Sequence, residues 1–152
     1  MTGPGPSPPE VRSRDVTVRR AGRSDVHAIA QLWERADLPP SPRGFRNEIA
    51  RLRRRDPELV IIALMDAQVV GAIAGSYDGR TAVLSRLAVD EAYRRRGIGC
   101  QLVRALRHQL TELGARTEGL IVLDGGDRAD AFWRALGFER GVTSAYVVRE
   151  RH

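Results

Sequence analysis

The segment from Leu84 to Val103, LSRLAVDEAYRRRGIGCQLV, constrains this chain more than any other. An apolar run that reads as a strand ends near Val89. A short turn follows, and Arg94-Arg95-Arg96-Gly97-Ile98-Gly99 opens a stretch of helical period. The first turn of a helix carries N–H groups with no intrahelical partner and a partial positive charge, so it attracts anions. Glycines at 97 and 99 put no Cβ between the backbone and a ligand, and arginines are bidentate phosphate donors. The segment therefore predicts a phosphate or pyrophosphate seated on the N-terminus of a helix over 97–113. It is not a nucleoside-triphosphate loop, because no Gly-Lys-Ser/Thr closes it. It also lacks the third glycine of a dinucleotide fingerprint.

The rest of the chain supplies one layered domain around that segment. Residues 1–14 hold four of the eight prolines and almost no apolar side chain, which predicts a disordered tail and leaves 15–152 as a single domain. Val16 and Val18 alternate with polar residues as a strand. Val26, Ile29, Ala30 and Trp33 recur at helical spacing, predicting a helix over 25–37 with Ser24 as its N-cap and Pro39, Pro40 and Pro42 beyond its end. Phe45, Ile49 and Leu52 predict a second helix over 43–55. Residues 59–76 read as a hairpin turning at Asp66-Ala67, and 81–89 as a further strand. Along 97–113, Ile98, Leu102, Ala105, Leu106 and Leu113 line one side. Leu120–Leu123 reads as a short strand, Ala129, Phe132, Trp133 and Leu136 as a short helix, and 142–148 as the last strand. The order β-α-α-β-β-β-α-β-α-β is that of a mixed α/β architecture.

Composition excludes several classes of function. All 25 Lys+Arg residues are arginine, and with 19 acidic residues the net charge is +6. A basic chain invites nucleic acid, but aromatic content is only 5% and no nucleic-acid motif is present, so no nucleic-acid partner is expected. The single cysteine, Cys100, rules out an internal disulfide framework and a multi-cysteine zinc site, and no metal is expected. No apolar run approaches the ~20 residues needed to span a bilayer, and no signal segment is evident, so a cytoplasmic enzyme without a membrane partner is expected. His27 and His108 fall within helices and His152 is terminal; all three read as solvated.

Arg94, Gly97 and Gly99 resemble the Gln/Arg-x-x-Gly-x-Gly/Ala loop that holds the acyl-CoA pyrophosphate in the GNAT (Gcn5-related N-acetyltransferase) superfamily. Leu87-Ala88-Val89 looks like the end of that family's splayed central strand. Ala131 to Phe138, AFWRALGF, is similar to its Tyr-containing region ending in Gly-Phe. The resemblance runs over about 15–149. Leu32–Leu38 (LWERADL) and Gly75–Arg80 (GSYDGR) further resemble the YpeA-like branch. The implied fold is a mixed, mostly antiparallel sheet with a V-shaped splay between two parallel strands, 81–89 and 119–124, flanked by about four helices.

The resemblance also implies a chemistry. Acetyl-CoA would lie in the V, its pantetheine arm along Leu87, Ala88 and Val89. N–H groups from Arg95 through Gly97, Ile98 and Gly99 to Cys100 would hold its pyrophosphate, aided by the side chains of Arg94, Arg95 and Arg96, with Trp133 near the sulfur. A neutral primary amine, on a small molecule or a protein, would attack the thioester directly. A backbone N–H near Val89 would meet the oxyanion, and a base would take the ammonium proton. Many relatives carry a Tyr at position 133 that protonates the leaving thiolate. Trp133 can donate a hydrogen bond but is no acid, so an acyl-CoA sensor or impaired partner is the alternative. Cys100 and Tyr146 are other possible proton donors. Gly126 stands where relatives often have Asn, with Asp124 and Asp127 as nearby substitutes. Asp78, Ser85 and Tyr146 are the catalytic candidates, and Glu34 and Asp37 border the same cleft in relatives. Six arginines over 43–55 (43, 46, 51, 53, 54 and 55) are accompanied only by Glu48, forming either a solvated face or a wall steering an acidic acceptor. Similar proteins are commonly dimers, so a homodimer is implied.

One prediction follows from composition. With no lysine in the chain, incubation with acetyl-CoA should leave no stable internal N-acetyl group. Peptide mass spectrometry checks this, and a mapped internal site would overturn it.

Overall fold

Strand alternation distributes the apolar residues of this chain over two faces of one sheet. The computed structural model describes residues 11–13, 16–123 and 129–141. Six strands follow one another across the sheet in chain order: β1 (Val11–Ser13), β2 (Val16–Arg20), β3 (Val60–Met65), β4 (Gln68–Tyr77), β5 (Ala82–Val89) and β6 (Leu120–Leu123). Neighbours are antiparallel except β5 and β6, which are parallel. Helices α1 (Val26–Arg35) and α2 (Phe45–Arg55) cover one face; α3 (Ile98–Glu112) and α4 (Asp130–Ala135) cover the other. The mixed α/β class and the parallel pair agree with expectation.

Each face has its own core. Val18, Ile61, Ala63, Ile73 and Leu84 meet Ile98, Leu102, Leu106 and Leu110 of α3. Val60, Ile62, Ala72 and Ala74 meet Ile29, Leu32 and Trp33 of α1 and Ile49 of α2. Covered on both sides, β3 and β4 must be apolar almost continuously, which is why they lack a polar alternation. The hairpin between them turns on Asp66 and Ala67, with φ of +50° and +62°, the left-handed pair of a type I′ turn.

Several boundaries differ from expectation. The predicted tail is not structureless throughout: Val11, Arg12 and Ser13 pair with Val18, Thr17 and Val16. Strand addition at a sheet edge uses backbone groups, so it does not require the apolar side chains whose scarcity suggested disorder. The N-cap expected at Ser24 is replaced by Asp25. Its Oδ2 accepts from the Gly22 N–H at 2.6 Å and from Arg19 Nη1 at 2.8 Å. Burial alone would raise the pKa of this carboxyl, but the Arg19 and Gly22 donors outweigh it and hold the group below its ordinary range. Helix α1 ends before the prolines, because Asp37 turns left-handed (φ +57°) and the Leu38 N–H closes on the Trp33 carbonyl at 3.3 Å. Leu113, expected on the apolar side of α3, follows the last helical residue and is 45% exposed. The strand expected over 142–148 lies outside the described residues.

Two glycines of β4 seat α3. A Cβ on Gly75 would stand 2.8 Å from Leu106 Cδ1, and one on Gly71 would stand 3.0 Å from Leu102 Cδ1 and 3.1 Å from Ile98 Cγ2. This close approach presses the first turn of α3 against the end of the sheet where β5 finishes. Gly75→Val should therefore overpack the interface and cost about 1–3 kcal/mol. Urea unfolding checks this through a lower midpoint at unchanged slope.

Candidate active site

The site begins at the end of the described β5–β6 pairing, where the sequence leads one to expect a fork. Among the described residues, β6 pairs with β5 from Ala82↔Leu120 to Ser85↔Leu123. On the other side of β5, Ser85 pairs with Ala74 and Ala88 with Ala72, so Arg86 and Leu87 together oppose Ile73. This is a β-bulge, and Arg86 adopts the left-handed φ of +59°. The bulge resets the alternation: Leu84 and Leu87, three residues apart, both pack in the core under α3. Beyond it, the Asp90 N–H bonds the Val70 carbonyl at 2.7 Å. Alternation from that bond puts the backbone groups of Leu87 and Val89 on the edge facing away from β4.

The loop after β5 is held by short contacts. The Asp90 carboxylate accepts from the Ala92 N–H at 3.1 Å and from Arg35 Nη2 at 3.1 Å. Arg94 Nε donates to the Val89 carbonyl at 3.1 Å, and the Arg96 guanidinium lies over the Tyr93 ring at 5.4 Å. Arg95 and Gly97 are left-handed, with φ of +66° and +77°. The first bond of the α3 ladder runs from the Gln101 N–H to the Gly97 carbonyl at 3.1 Å. The N–H groups of Ile98, Gly99 and Cys100 therefore precede the ladder at the positive end of the helix. The Ile98 side chain is buried in the core, leaving its backbone to the loop, and Cys100 is half-buried.

The two glycines of the loop do different things. A Cβ on Gly97 would meet nothing within 4 Å, so this glycine serves the left-handed turn. A Cβ on Gly99 would stand 3.2 Å from the Phe132 ring. The expectation that Gly99 leaves room for a ligand is thus corrected: the space its missing Cβ would take belongs to α4.

The remaining candidates fall in distinct places. Trp133 is only 8% exposed, packed edge-on against Phe132 at 5.0 Å and Phe138 at 5.4 Å. Ala88 points to the opposite core, under α1. Among the described residues, Ser85 is the last of β5 paired with β6, and it directly precedes the bulge. Asp78 lies in the β4–β5 turn, at the other end of the strand, with roughly 13 Å of strand between Ala82 and Arg86. Its Oδ1 accepts from the Thr81 N–H at 2.7 Å and the Arg80 N–H at 2.8 Å, and these bonds lower its pKa. A carboxylate so stabilised is a weaker base, and the turn explains why Asp is there. Glu34, Asp37, His27 and His108 are exposed. Along α2, Arg46, Arg51, Arg54 and Arg55 are exposed, while Arg53 Nε caps the Ala21 carbonyl at 3.1 Å. Tyr146, Asp124, Gly126 and Asp127 lie outside the described residues.

The sequence reading missed a pair at the bulge. Arg86 makes two parallel bonds to Glu48 of α2, Nε to Oε2 and Nη2 to Oε1, both at 2.9 Å. The only signal was that Glu48 stands alone among six arginines. Nothing in its spacing named a partner 38 positions away.

Fold and site together describe an acyltransferase scaffold: a parallel strand pair, a bulge in β5 just beyond the described pairing, and a helix N-terminus after that strand. Residues 26–138 match the Acetyltransferase (GNAT) family, and this chain belongs to it. An acetyltransferase of Pectobacterium atrosepticum is 30% identical over 122 residues, covering 80% of this chain and 86% of its own length. One from Sodalis glossinidius is 31% identical over the same span. Among solved structures, Ard1 from Thermoplasma volcanium superposes with a TM-score of 0.69 at 27% identity, covering 82% of this chain and 83% of its own. The aminoglycoside N-acetyltransferase AAC(6')-Iy, solved with CoA, shares the fold with a TM-score of 0.70 at 18% identity, covering 93% and 98%. By family this chain is an N-acetyltransferase.

Because Gly97 is constrained by its backbone alone, Gly97→Ala should cost roughly 1–2 kcal/mol, and Gly97→Asn, which tolerates the left-handed region, should cost less. Urea unfolding of the two variants checks that order.

Proposed function

We propose that this chain transfers the acetyl group of acetyl-CoA to a primary amine, carried by a small molecule or a protein, in the cytoplasm. The observation that carries this reading is the backbone edge of β5 that faces away from β4 beyond the bulge, followed in the chain by the N-terminus of α3. Leu87 offers a backbone donor and acceptor along the edge away from β4, and Val89 its N–H, the Val89 carbonyl being held by Arg94. The N–H groups of Ile98, Gly99 and Cys100 offer unlinked donors after that edge in the chain, with Arg94 and Arg95 adjacent. An extended amide-bearing arm ending in a pyrophosphate matches that donor set in order and in charge. The family match and the neighbour solved with CoA support the same ligand. When bound, acetyl-CoA would supply the activated thioester and leave as CoA.

The residues of this chain then divide the work. Backbone N–H groups of the β5 edge near Val89 meet the developing oxyanion, and the site orients donor and amine. The distance of Asp78 from the bulge and its lowered pKa weigh against it as the base, so proton removal from the amine passes to water. Trp133 gives a hydrogen bond at most. Its burial between two phenylalanines favours one second reading, an acyl-CoA sensor that binds without turnover.

Calorimetry with CoA and thiol release with a defined amine panel (a peptide with a free N-terminus, a lysine peptide, a polyamine and an aminoglycoside) separate these readings. Micromolar CoA binding with turnover of one amine is expected. Binding without turnover across the panel favours the sensor, and no binding overturns both. Gly99→Glu should abolish CoA binding, by adding a carboxylate beside the phosphate site and displacing Phe132. Retained affinity would refute the placement of the pyrophosphate.

A further inference from the structure

We propose that Arg86, held by Glu48, is a positioning residue for the acyl acceptor: it fixes the helices α1 and α2 to the bulge of β5. This rests on the transfer reading above and goes beyond it, by assigning the acceptor side to a specific pair.

The case begins with backbone cost. A left-handed conformation costs a non-glycine residue roughly 1–2 kcal/mol, and glycine would adopt it freely. Arg86 occupies it at the β5 bulge, next to the last described pair with β6, Ser85↔Leu123. Such strain persists where the surroundings over-determine the residue, and it concentrates at functional sites. Here the side chain does the determining. Its fork meets both oxygens of Glu48, Nη1 donates to the Pro39 carbonyl at 2.6 Å, and the guanidinium lies 5.6 Å from the ring centres of both Trp33 and Phe45. Both side chains of the ion pair are only about one-fifth exposed, at 20% and 22%, so the pair is screened far less than a surface bridge.

Every one of these partners belongs to one layer. Trp33 is on α1, Pro39 is in the connection after it, and Phe45 and Glu48 are on α2. None belongs to the loop 90–97 or to α3, where the CoA donors lie. One side chain thus ties the bulge to the wall opposite the cofactor loop. The bidentate geometry needs a guanidinium; an ammonium is a point charge and cannot reproduce it. With both oxygens engaged, Glu48 sets geometry and is not a free base.

Three variants test this: Arg86→Lys keeps the charge without the fork, Glu48→Gln keeps the shape without the charge, and Arg86→Gly keeps the left-handed backbone without the side chain. Each is measured for CoA affinity by calorimetry and for kcat and KM with whichever amine of the panel the wild type acetylates. The expected result is CoA affinity unchanged in all three, with kcat/KM for the amine lowered by about tenfold to a hundredfold through KM, the scale on which a displacement of about an ångström acts. The Glu48→Gln/Arg86→Lys double variant should be no worse than the poorer single one, because both break one interaction. Amine kinetics equal to wild type, or a matching loss of CoA affinity, overturns the proposal while the transfer reading stands. A wild type that binds CoA and acetylates none of the amines overturns the transfer reading instead, and the proposal with it.

Discussion

The structure depends on one discontinuity in β5. Up to Ser85 the strand is an ordinary member of the sheet, paired on both sides. At Arg86 an extra residue enters and the backbone turns left-handed, next to the last described pair with β6, Ser85↔Leu123. A sheet satisfies its backbone groups through its neighbours, and beyond the bulge the backbone groups of Leu87 and the N–H of Val89 face away from β4. The same bulge returns Leu87 to the core under α3, which keeps the strand anchored. The outward edge and the anchored face are two results of one inserted residue.

Around that break the two helical layers have separate duties. The α3 side is built for close approach. Gly71 and Gly75 bring α3 down onto β4, and Gly99 admits the Phe132 ring beneath its first turn. These contacts aim the α3 N-terminus at the end of β5. The α1–α2 side is built from charge and aromatic contacts converging on Arg86. The arginine-only composition takes on a more specific meaning in this light. Arg94 is committed to the Val89 carbonyl, Arg96 to Tyr93, Arg53 to the Ala21 carbonyl and Arg86 to Glu48, whereas much of the α2 surface is solvated.

The elements with strong local signals were legible from the sequence. The helical period over 97–113, the apolar run of β3 and the turn at Asp66-Ala67 reflect interactions among near neighbours, and each is found within a residue or two of its expected limits. The glycine-arginine loop was legible for the same reason, since helix-end chemistry is local. Other features were less legible, for differing reasons. Gly99 looked like room for a ligand, but Phe132, 33 positions later, lies where its Cβ would stand. Asp78 was one of three catalytic candidates, and two N–H groups of its own turn hold its carboxylate. Val11–Ser13 looked like tail because composition does not register pairing at a sheet edge.

By itself the sequence determined the class of protein: an α/β chain of GNAT type with an anion site at the start of a long helix. Periodicity, glycine placement and helix-end charge are properties of contiguous residues. Only the tertiary structure decided which residues meet at the bulge. The Arg86–Glu48 pair joins a strand to a helix 38 positions earlier, and its value comes from burial and bidentate geometry. Those exist only once both helices lie on the sheet, because in an unfolded chain the same two charges are solvated and far apart.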